Sequence, residues 1–584
     1  MATGVAIQRP ERWDNPFVPD MTDADVDRIM DLEMFRDMDT SKFSASFSLR
    51  DIIRNDTRIL RYNKGDIIVR TGDYGTTAFL LISGNVRVVL PPPELPDSLL
   101  GRATVPKKGF FDALSQLWKN PRLPEVRDPA RYRRGGDTGV RGGGKRAHTF
   151  IRDLEAVLDG YRTIQRGPGS LFGEIAALTR AARTTSIFAE NDVELVEIRR
   201  QGIRDIRQRV DSFRKNVDQM YRTRSLKNHL RAAPIFQHLS DEVIETIAAE
   251  TLFETYGDFD WHISYNRYLE SPAKERLAME PIIVQEGDYP DGLLMIVSGS
   301  ARVTRKVNHG QQTVRYISAG AFSGFEEITQ NWREGAEHTV PLQHTLRAVG
   351  YTDILRVPTS IIEEYVLPEL PESLLPEPVE RRRRDAPIAA ERRHAPLTGL
   401  GRKTPEIDTD TLEVLVEHRF IKGTATMIID LDRCVRCDAC VEACAKGHSN
   451  NPRFIRHGRT FDHYMVANAC MHCTDPVCMI GCPTGAIHRD PLGGQVMIND
   501  DTCIGCSTCA SNCPYNNIRM VEVRDKKGSF IIDDDTGVPI VKATKCDLCV
   551  DQLGGPACQR ACPHDALRRF EMNDRLTLAK WLNR

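Results

Sequence analysis

All sixteen cysteines of this 584-residue chain lie between Cys434 and Cys562, and they divide into four quartets without remainder. The quartets are Cys434-x2-Cys437-x2-Cys440-x3-Cys444, Cys470-x2-Cys473-x4-Cys478-x3-Cys482, Cys503-x2-Cys506-x2-Cys509-x3-Cys513 and Cys546-x2-Cys549-x8-Cys558-x3-Cys562. Three closely spaced thiolates suit one face of an iron–sulfur cubane, and the fourth, usually before proline, reaches a neighbouring cluster. Zinc sites instead pair two C-x2-C knuckles about 12–20 residues apart. The spacing therefore predicts four [4Fe–4S] clusters.

The rest of the chain must do something else, and its composition limits what that is. A chain of 584 residues exceeds one hydrophobic core, so several domains are expected. A net charge of −2 gives no general attraction to nucleic acid or anionic membrane. No apolar run reaches the roughly 18 residues of a membrane span, and the first residues lack a signal-peptide pattern. We expect a cytoplasmic protein whose membrane attachment would need another subunit.

Two segments before the cysteines share one pattern. Residues 58–90 contain short β-branched runs interrupted by glycines, which is typical of strands joined by tight turns in a jelly roll. Residues 281–306 repeat the order of strand, Gly-Asp-Tyr turn, apolar strand, Ser-Gly and strand. A helix opened by Ser240 or Asp241 as N-cap precedes the second copy. The pattern predicts two related β domains.

The predicted fold class is multidomain: two β jelly-roll domains with flanking helices, followed by an α+β polyferredoxin domain of two ferredoxin-like modules. Within the first jelly roll, an insertion at about 91–160 contains a short helix at FFDALSQLW and then a mobile Gly/Arg loop. The expected segments are an N-terminal helical extension (1–45), the first β domain (46–225), the second (226–366), a Pro/Arg-rich linker (367–405) and the cysteine-rich domain (406–584).

The first β domain contains the sequence Phe172–Glu174 followed by Arg183 at the ninth position beyond the Glu. This resembles the phosphate-binding cassette of the cyclic nucleotide-binding domain in the catabolite activator protein family and in cyclic-nucleotide-regulated kinases. The resemblance implies that Glu174 binds the ribose, that Gly173 lets the backbone approach, and that Arg183 and Thr184 bind the phosphate of cAMP or cGMP. In the alternative interpretation, Glu174 and Arg183 pair with each other in a domain that has lost its ligand.

The second β domain departs from that cassette. Its segment SAGAFSGFEEI places Phe325 near the carboxylate position and Glu326 one residue later, and alignment places Leu342 where the cassette arginine belongs. Without a guanidinium, a buried cyclic phosphate would be an unpaired charge. We therefore predict a structural or interaction copy of the fold.

Two other signals are weak. Gly139-x4-Gly144-Lys145 resembles a phosphate loop, but Arg146 stands where a Ser or Thr would hold magnesium. The Arg381–Arg384 run could contact nucleic acid, yet charge runs in linkers are more often solvated. We predict neither ATP binding nor nucleic-acid binding.

The cysteine motifs, from CVRCDACVEACAKGH to KCDLCVDQLGGPACQRACPHDAL, resemble the four-cluster iron–sulfur subunits of dimethyl sulfoxide reductase, formate dehydrogenase and related molybdopterin oxidoreductases. The resemblance implies that the first quartet pairs with the fourth and the second with the third. The implied ligand sets are Cys434, Cys437, Cys440 and Cys562; Cys546, Cys549, Cys558 and Cys444; Cys470, Cys473, Cys478 and Cys513; and Cys503, Cys506, Cys509 and Cys482. His472 and His564 could tune a cluster, although packing or surface roles are the simpler interpretation.

These features together predict a non-catalytic electron-transfer component of an oxidoreductase complex. It would carry electrons between a catalytic subunit, of molybdopterin or flavin type, and a second redox partner, and cyclic nucleotide binding at the first domain would modulate it. A sensor of redox state or cyclic nucleotide is the first alternative, although no convincing DNA-recognition helix is evident. A regulatory scaffold whose N-terminal repeats bind only protein is the second.

Overall fold

The computed structural model describes residues 10–584 except 15, 92, 103–106, 130–137, 142–146, 180–181, 222–225, 259, 309, 336–338, 377–406, 491–492 and 534–535. The Arg381–Arg384 run, most of the predicted linker, and Gly144 and Lys145 of the phosphate-loop-like motif lie outside the described residues. In the part of the chain that is described, every helix is too short or too polar to cross a bilayer.

The first β domain is a sandwich of two four-stranded antiparallel sheets, in the orders β1-β10-β3-β8 and β2-β9-β4-β7. The strands of the two sheets are β1 (Thr57–Tyr62), β2 (Ile67–Val69), β3 (Thr77–Ser83), β4 (Val86–Val89), β7 (Thr163–Arg166), β8 (Leu171–Phe172), β9 (Ser186–Ala189) and β10 (Val193–Arg199). The strands β5 (Thr138–Arg141) and β6 (His148–Ile151) form a separate antiparallel pair. Phe79 and Leu195 of one sheet share an apolar core with Val86 and Ile187 of the other. Burial of these β-branched and aromatic side chains between the sheets stabilises the sandwich.

Helices pack against the outside of the first sandwich. They are α1 (Asp23–Met30), α2 (Glu33–Arg36), α3 (Leu49–Asp56), α4 (Phe110–Lys119), α5 (Leu154–Leu158), α6 (Glu174–Thr179), α7 (Arg200–Arg209) and α8 (Asp211–Tyr221). Helix α3 begins with a capping box in which Ser48 and Asp51 accept hydrogen bonds from each other's backbone N–H. It buries Ile52 and Ile53 against α1 and α7.

The insertion of the first β domain reaches the cysteine-rich domain. The predicted short helix is α4. Residues 121–129 lie against the cysteine-rich domain, where Arg127 N donates to Arg524 O at 2.7 Å. Gln116 Nε2 in α4 donates to Gly447 O at 2.9 Å. Residues 130–137 and 142–146 of the Gly/Arg loop are outside the described residues.

The second β domain contains α9 (Lys227–Ala232), α10 (Asp241–Glu250), α11 (Trp261–Glu270), α12 (Ala273–Met279), α13 (Phe325–Glu334) and α14 (Thr359–Ile361). Its strands are β11 (Leu252–Gly257), β12 (Ile282–Val284), β13 (Gly292–Val307), β14 (Gly310–Ser318), β15 (Phe322–Ser323) and β16 (Thr345–Pro358). All six strands belong to one sheet, because the long strands β13 and β16 continue past bulges. The predicted cap is confirmed: Ser240 accepts from Val243 N and α10 follows.

The cysteine-rich domain is built from short elements around its loops. Its helices are α15 (Thr409–Glu417), α16 (Ala439–Gly447), α17 (Thr508–Asn512), α18 (Ala557–Arg560) and α19 (Arg575–Leu582). Its strands are β17 (Thr426–Asp430), β18 (Ile455–Phe461), β19 (Tyr464–Asn468), β20 (Ile487–Arg489), β21 (Val496–Ile498), β22 (Arg519–Glu522), β23 (Val541–Thr544) and β24 (Leu567–Phe570). They form a sheet β18-β19-β17-β24 and the hairpin pairs β20-β21 and β22-β23.

His418, directly after α15, is buried where the second β domain meets the cysteine-rich domain. Tyr265 Oη of α11 donates to His418 O at 2.7 Å. Burial, with the positive charges of Arg459 and Arg276, lowers the pKa of His418 to about 4. The unfolded chain therefore binds more protons than the folded chain between about pH 4 and 6.5. Stability must rise with pH across this window and fall on acidification.

We expect His418→Gln to remove about 2 kcal/mol of this pH dependence between pH 4 and 6.5. Anaerobic urea denaturation of the full chain at several pH values measures it, with His238→Gln as the matched control because His238 is exposed. Parallel pH profiles of wild type and His418→Gln would contradict the assignment.

Candidate functional site

The sixteen cysteines lie in four groups, each of which takes members from two sequence quartets. Three of these groups line cavities whose volumes are about 350, 450 and 350 Å³ when the part of each cavity that is open to solvent is included. The Cys437 site is lined by Cys434, Cys437, Cys440 and Cys562. The Cys473 site is lined by Cys470, Cys473, Cys478 and Cys513. The Cys506 site is lined by Cys482, Cys503, Cys506 and Cys509.

The remaining four cysteines form the Cys444 site, composed of Cys444, Cys546, Cys549 and Cys558. Burial raises the pKa of Cys558 to about 12. The guanidinium of Arg569 opposes this shift, and the thiols of the other three members of the site contribute to it. All four residues of this site are buried. The four groups coincide with the ligand sets that the family resemblance implies.

Local helical geometry explains why one quartet serves two groups. Cys440 and Cys444 are four residues apart on α16, so both side chains lie on one face of the helix. One belongs to the Cys437 site and the other to the Cys444 site, which must therefore be neighbours. The pairs Cys478/Cys482 and Cys509/Cys513 are also four residues apart and join the Cys473 and Cys506 sites, although Cys482 and Cys513 lie beyond the short helices that hold Cys478 and Cys509.

Arg569 joins the two halves of this arrangement. Its Nη2 lies 3.0 Å from Cys546 Sγ of the Cys444 site, and its Nη1 donates to Cys470 O of the Cys473 site at 2.9 Å. The four groups therefore follow one another in the order Cys437, Cys444, Cys473 and Cys506 sites.

Burial favours the protonated form of several of these thiols in the absence of a cation. Burial, reinforced by neighbouring thiols, raises the pKa of Cys509 to about 12, and burial raises the pKa of Cys440 and Cys513 to about 11. Four sulfur atoms around an enclosed space become thiolates when they ligate metal. Four cysteine sulfur donors per site fit iron–sulfur clusters.

Buried cations lie beside the sulfur groups. Lys545 donates from Nζ to Val496 O and, at 2.9 Å, to Cys546 O. Lys542 Nζ donates to Cys503 O at 2.5 Å. Both side chains are at most 4% exposed. A cluster with four thiolates is anionic, and these ammonium groups would offset that charge.

The N-terminal domains supply part of the wall of the Cys473 site. Trp261, the first residue of α11 in the second β domain, lines this cavity together with Lys422 and Asp475. Its Nε1 donates to Asp475 Oδ2 at 3.3 Å, and Lys422 Nζ lies 3.5 Å from the same oxygen. Sequence reasoning missed Trp261, Lys422 and Arg569, because nothing in their local sequence distinguishes them from ordinary packing and surface residues.

The Cys437 site opens to solvent. Cys437 is exposed and Val435 is 61% exposed. His564, one of the two histidines singled out in the sequence, is exposed and lines this cavity. The other, His472, is buried and its Nδ1 accepts a hydrogen bond from Val496 N at 3.0 Å. His472 therefore has a clear packing role, and His564 borders a sulfur group.

The cassette of the first β domain holds Arg183 inside the protein. Its Nη1 donates to Gly173 O at 2.5 Å and its Nη2 to Thr77 O at 2.6 Å. Burial lowers the pKa of Arg183 to about 10, and the nearby carboxylate of Glu174 opposes this shift. The guanidinium stays charged at neutral pH, and an anion in contact with it would offset its desolvation. Glu174 begins α6 and is buried, whereas Thr184 is exposed.

The second β domain places Leu342 at the equivalent position. In the first domain Gly72 N donates to Arg183 O at 2.7 Å and Arg183 N donates to Asp73 O at 2.8 Å. In the second, the Gly-Asp turn of residues 287–288 makes the same two bonds with Leu342, at 2.9 and 2.8 Å. Leu342 is 6% exposed. The two repeats therefore share this backbone arrangement and differ in the side chain at this position, which is Arg183 in the first and Leu342 in the second.

Known proteins resemble two parts of the chain. The family model of the 4Fe-4S dicluster domain matches residues 461–572, and that of the cyclic nucleotide-binding domain matches residues 274–367, the second repeat. Electron transport protein HydN of Escherichia coli (strain K12) is 34% identical over 171 residues, 27% of this chain and 90% of HydN. The arsenate respiratory reductase iron-sulfur subunit ArrB of Shewanella sp. (strain ANA-3) is 29% identical over 192 residues, 25% of this chain and 82% of ArrB.

Solved structures were also compared with the chain. The regulatory domain of Toxoplasma gondii PKA with cAMP covers 57% of this chain and 87% of its own, with 15% sequence identity and a TM-score of 0.19. The predicted fold class, β-rich domains of the cyclic nucleotide-binding type followed by a cysteine-rich ferredoxin-like region, is confirmed by the family matches and by the two related sheet domains.

Proposed function

Because the chain belongs to the family of iron–sulfur electron transport proteins with a 4Fe-4S dicluster domain, we propose that it carries four [4Fe–4S] clusters and conducts electrons between partner redox proteins. A bound [4Fe–4S] cluster supplies a one-electron couple. Each electron would come from a reduced donor protein and pass to an oxidised acceptor protein, so the chain itself is unchanged at the end of a transfer.

One observation carries this proposal: the sixteen cysteines form four adjoining groups in a single order. The protein would contribute the thiolates, and Lys542, Lys545 and Arg569 would stabilise the negative charge that reduction adds. The exposed Cys437 site is suited to electron exchange with a partner.

The partners would be a catalytic oxidoreductase subunit, of molybdopterin or flavin type, and a second redox protein. The name of ArrB, an iron-sulfur subunit of a respiratory reductase, supports a partner of this kind. Any association with a membrane would be peripheral and through that partner.

Anaerobic purification of the full chain tests the proposal. We expect about sixteen irons and sixteen sulfides per chain, and paramagnetic signals of reduced clusters after dithionite treatment. We also expect a redox-active protein to co-purify from the native host. A preparation that contains zinc, or fewer than about twelve irons per chain, would contradict the four-cluster assignment. Co-purification with specific DNA in place of a redox protein would favour the sensor alternative.

The first β domain would bind cAMP or cGMP and thereby modulate electron transfer. The buried Arg183 supports this, because a cyclic phosphate could replace Gly173 O and Thr77 O as partners of its guanidinium. Glu174 and Thr184 would complete the site, by the resemblance to the cassette.

Calorimetric titration of the full chain with cAMP, and separately with cGMP, tests this binding. We expect one of the two to bind and Arg183→Ala to weaken the binding at least tenfold, because a charge-assisted contact is lost. Arg166→Ala is the matched control, since Arg166 is exposed in the same domain. Equal heats for wild type and Arg183→Ala, or no heat from either nucleotide, would rule out nucleotide binding at Arg183.

A further inference from the structure

One turn of the first β domain, residues 70–74, touches both the cassette and the cysteine-rich domain. On the cassette side, Gly72 and Asp73 exchange backbone hydrogen bonds with Arg183 at 2.7 and 2.8 Å. Tyr74 forms an antiparallel bridge with Ala182. The backbone of the residue proposed to bind phosphate is thus fixed by this turn.

On its other side, the 70–74 turn contacts the loop that carries Cys482. The Arg70 side chain is 5% exposed, and its Nη2 donates to Pro483 O at 3.4 Å. Gly485 makes room for the Arg70 side chain: a Cβ atom there would lie 2.8 Å from Arg70 Cδ, and its φ is +67°. The contact therefore depends on an arginine on one side and a glycine on the other.

The insertion of the first β domain closes around the same place. Arg102 donates from Nη2 to Asp73 Oδ1 at 2.8 Å. The neighbouring Gly101 O accepts from Thr502 Oγ1 at 2.7 Å, and Thr502 directly precedes Cys503. Tyr74 packs against the apolar cluster that includes Cys503. Two cysteines of the Cys506 site, Cys482 and Cys503, are thus each next to a residue held by the first β domain.

The charges of the turn act on the Cys506 site. The Arg70 guanidinium donates to the carbonyl of Pro483, the residue after Cys482, and its Nη1 lies 3.8 Å from Asp73 Oδ2. Charges held this close to a ligand of the site would affect the energy of an electron added there.

We propose that cyclic nucleotide binding at Arg183 and one-electron reduction at the Cys506 site are thermodynamically coupled through the 70–74 turn. The proposal rests on the function proposed above. A phosphate that takes the Arg183 guanidinium from Gly173 O and Thr77 O displaces a residue whose backbone is bonded to Gly72 and Asp73. The displacement changes the positions of Asp73 and Arg70 relative to Cys482. Arg70 is a positioning residue in this scheme.

The coupling is reciprocal, since both ligation and reduction act on one equilibrium. If the nucleotide binds one redox state tenfold more tightly than the other, the midpoint potential shifts by about 59 mV for a one-electron couple. The same factor must appear as a tenfold difference in nucleotide affinity between oxidised and dithionite-reduced protein.

The experiment is a potentiometric titration of the anaerobic full chain with electron paramagnetic resonance detection, with and without saturating cAMP or cGMP. We expect one cluster signal to shift by about 59 mV while the others stay in place. The shifted signal should be the one missing from Cys506→Ala. Calorimetry on oxidised and on reduced wild-type protein should give a tenfold difference in nucleotide affinity. This measurement needs no variant.

Arg70→Gln separates coupling from binding. We expect Arg70→Gln to bind nucleotide with equal affinity in the oxidised and the reduced protein and so to abolish the shift, whereas Arg70→Lys keeps the charge and retains part of it. Nucleotide binding with no signal moved, or with all signals moved equally, overturns the coupling and leaves the proposed function standing. Absence of binding overturns both the coupling and the nucleotide site, and missing iron overturns the electron-transfer proposal itself.

Discussion

Replacing Cys444 with alanine is expected to remove about four irons per chain, and the irons lost should be those of the Cys444 site. In the sequence, Cys444 belongs to the quartet of Cys434, Cys437 and Cys440. In the structure, however, its thiol is close enough to raise the pKa of Cys558, which belongs to the fourth quartet. Its loss leaves three thiolates in that site, and iron and sulfide analysis of anaerobic protein measures the result.

Two double variants decide between the spatial grouping and grouping by sequence. Cys444→Ala with Cys546→Ala should lose no more iron than Cys444→Ala alone, because both cysteines belong to one site. Cys444→Ala with Cys437→Ala should lose about eight irons, because two sites are damaged. The reverse pattern would show that Cys444 serves the site of its own sequence quartet.

Replacing Arg302 with methionine is expected to destabilise the protein by about 3–5 kcal/mol, because a buried carboxylate is left without its partner. Arg302 in β13 is 1% exposed and Glu280 is 2% exposed. Two hydrogen bonds join them, from Nε at 2.8 Å and Nη2 at 2.9 Å. Arg302 also contacts Glu413 of α15 and so connects the second β domain to the cysteine-rich domain. Anaerobic urea denaturation of the full chain measures the loss.

The double variant Arg302→Met with Glu280→Met should recover most of that stability, since it removes both buried charges. Arg36→Met is the matched surface control, because the Arg36–Asp37 pair is exposed and worth less than about 1 kcal/mol. A loss below about 1 kcal/mol for Arg302→Met would mean that water reaches Glu280 and that Arg302 does not hold the two domains together.

The cysteine positions were predictable because cluster ligation is a local property of the chain. Spacings of two and three residues between thiols determine which sulfur atoms can reach one metal group, whatever surrounds them. The distribution among sites was different. It followed from resemblance, and in the structure it comes from helix α16, whose single face carries Cys440 and Cys444 to adjacent groups.

The repeat was equally visible in the sequence. The Gly-Asp turns at 72–73 and 287–288 make the same backbone hydrogen bonds to Arg183 and Leu342, so the two domains repeat one backbone pattern. The sequence also indicated that only the first copy has the arginine. The sequence did not reveal that the guanidinium of Arg183 donates hydrogen bonds to Gly173 O and Thr77 O. Every residue type has a backbone carbonyl, so the residue types cannot show which carbonyls accept these bonds.

The sequence by itself determined the two β domains, and it identified the candidate metal ligands and the candidate phosphate-binding arginine, because each depends on residue types at short, fixed spacing. Only the tertiary structure decided that Trp261 lines the Cys473 site, that Arg70 touches the loop of Cys482, and that the insertion lies against the cysteine-rich domain. These contacts join residues more than 200 positions apart. Side chains and backbone groups of ordinary residue types make them, so no periodicity or motif in the sequence could predict them.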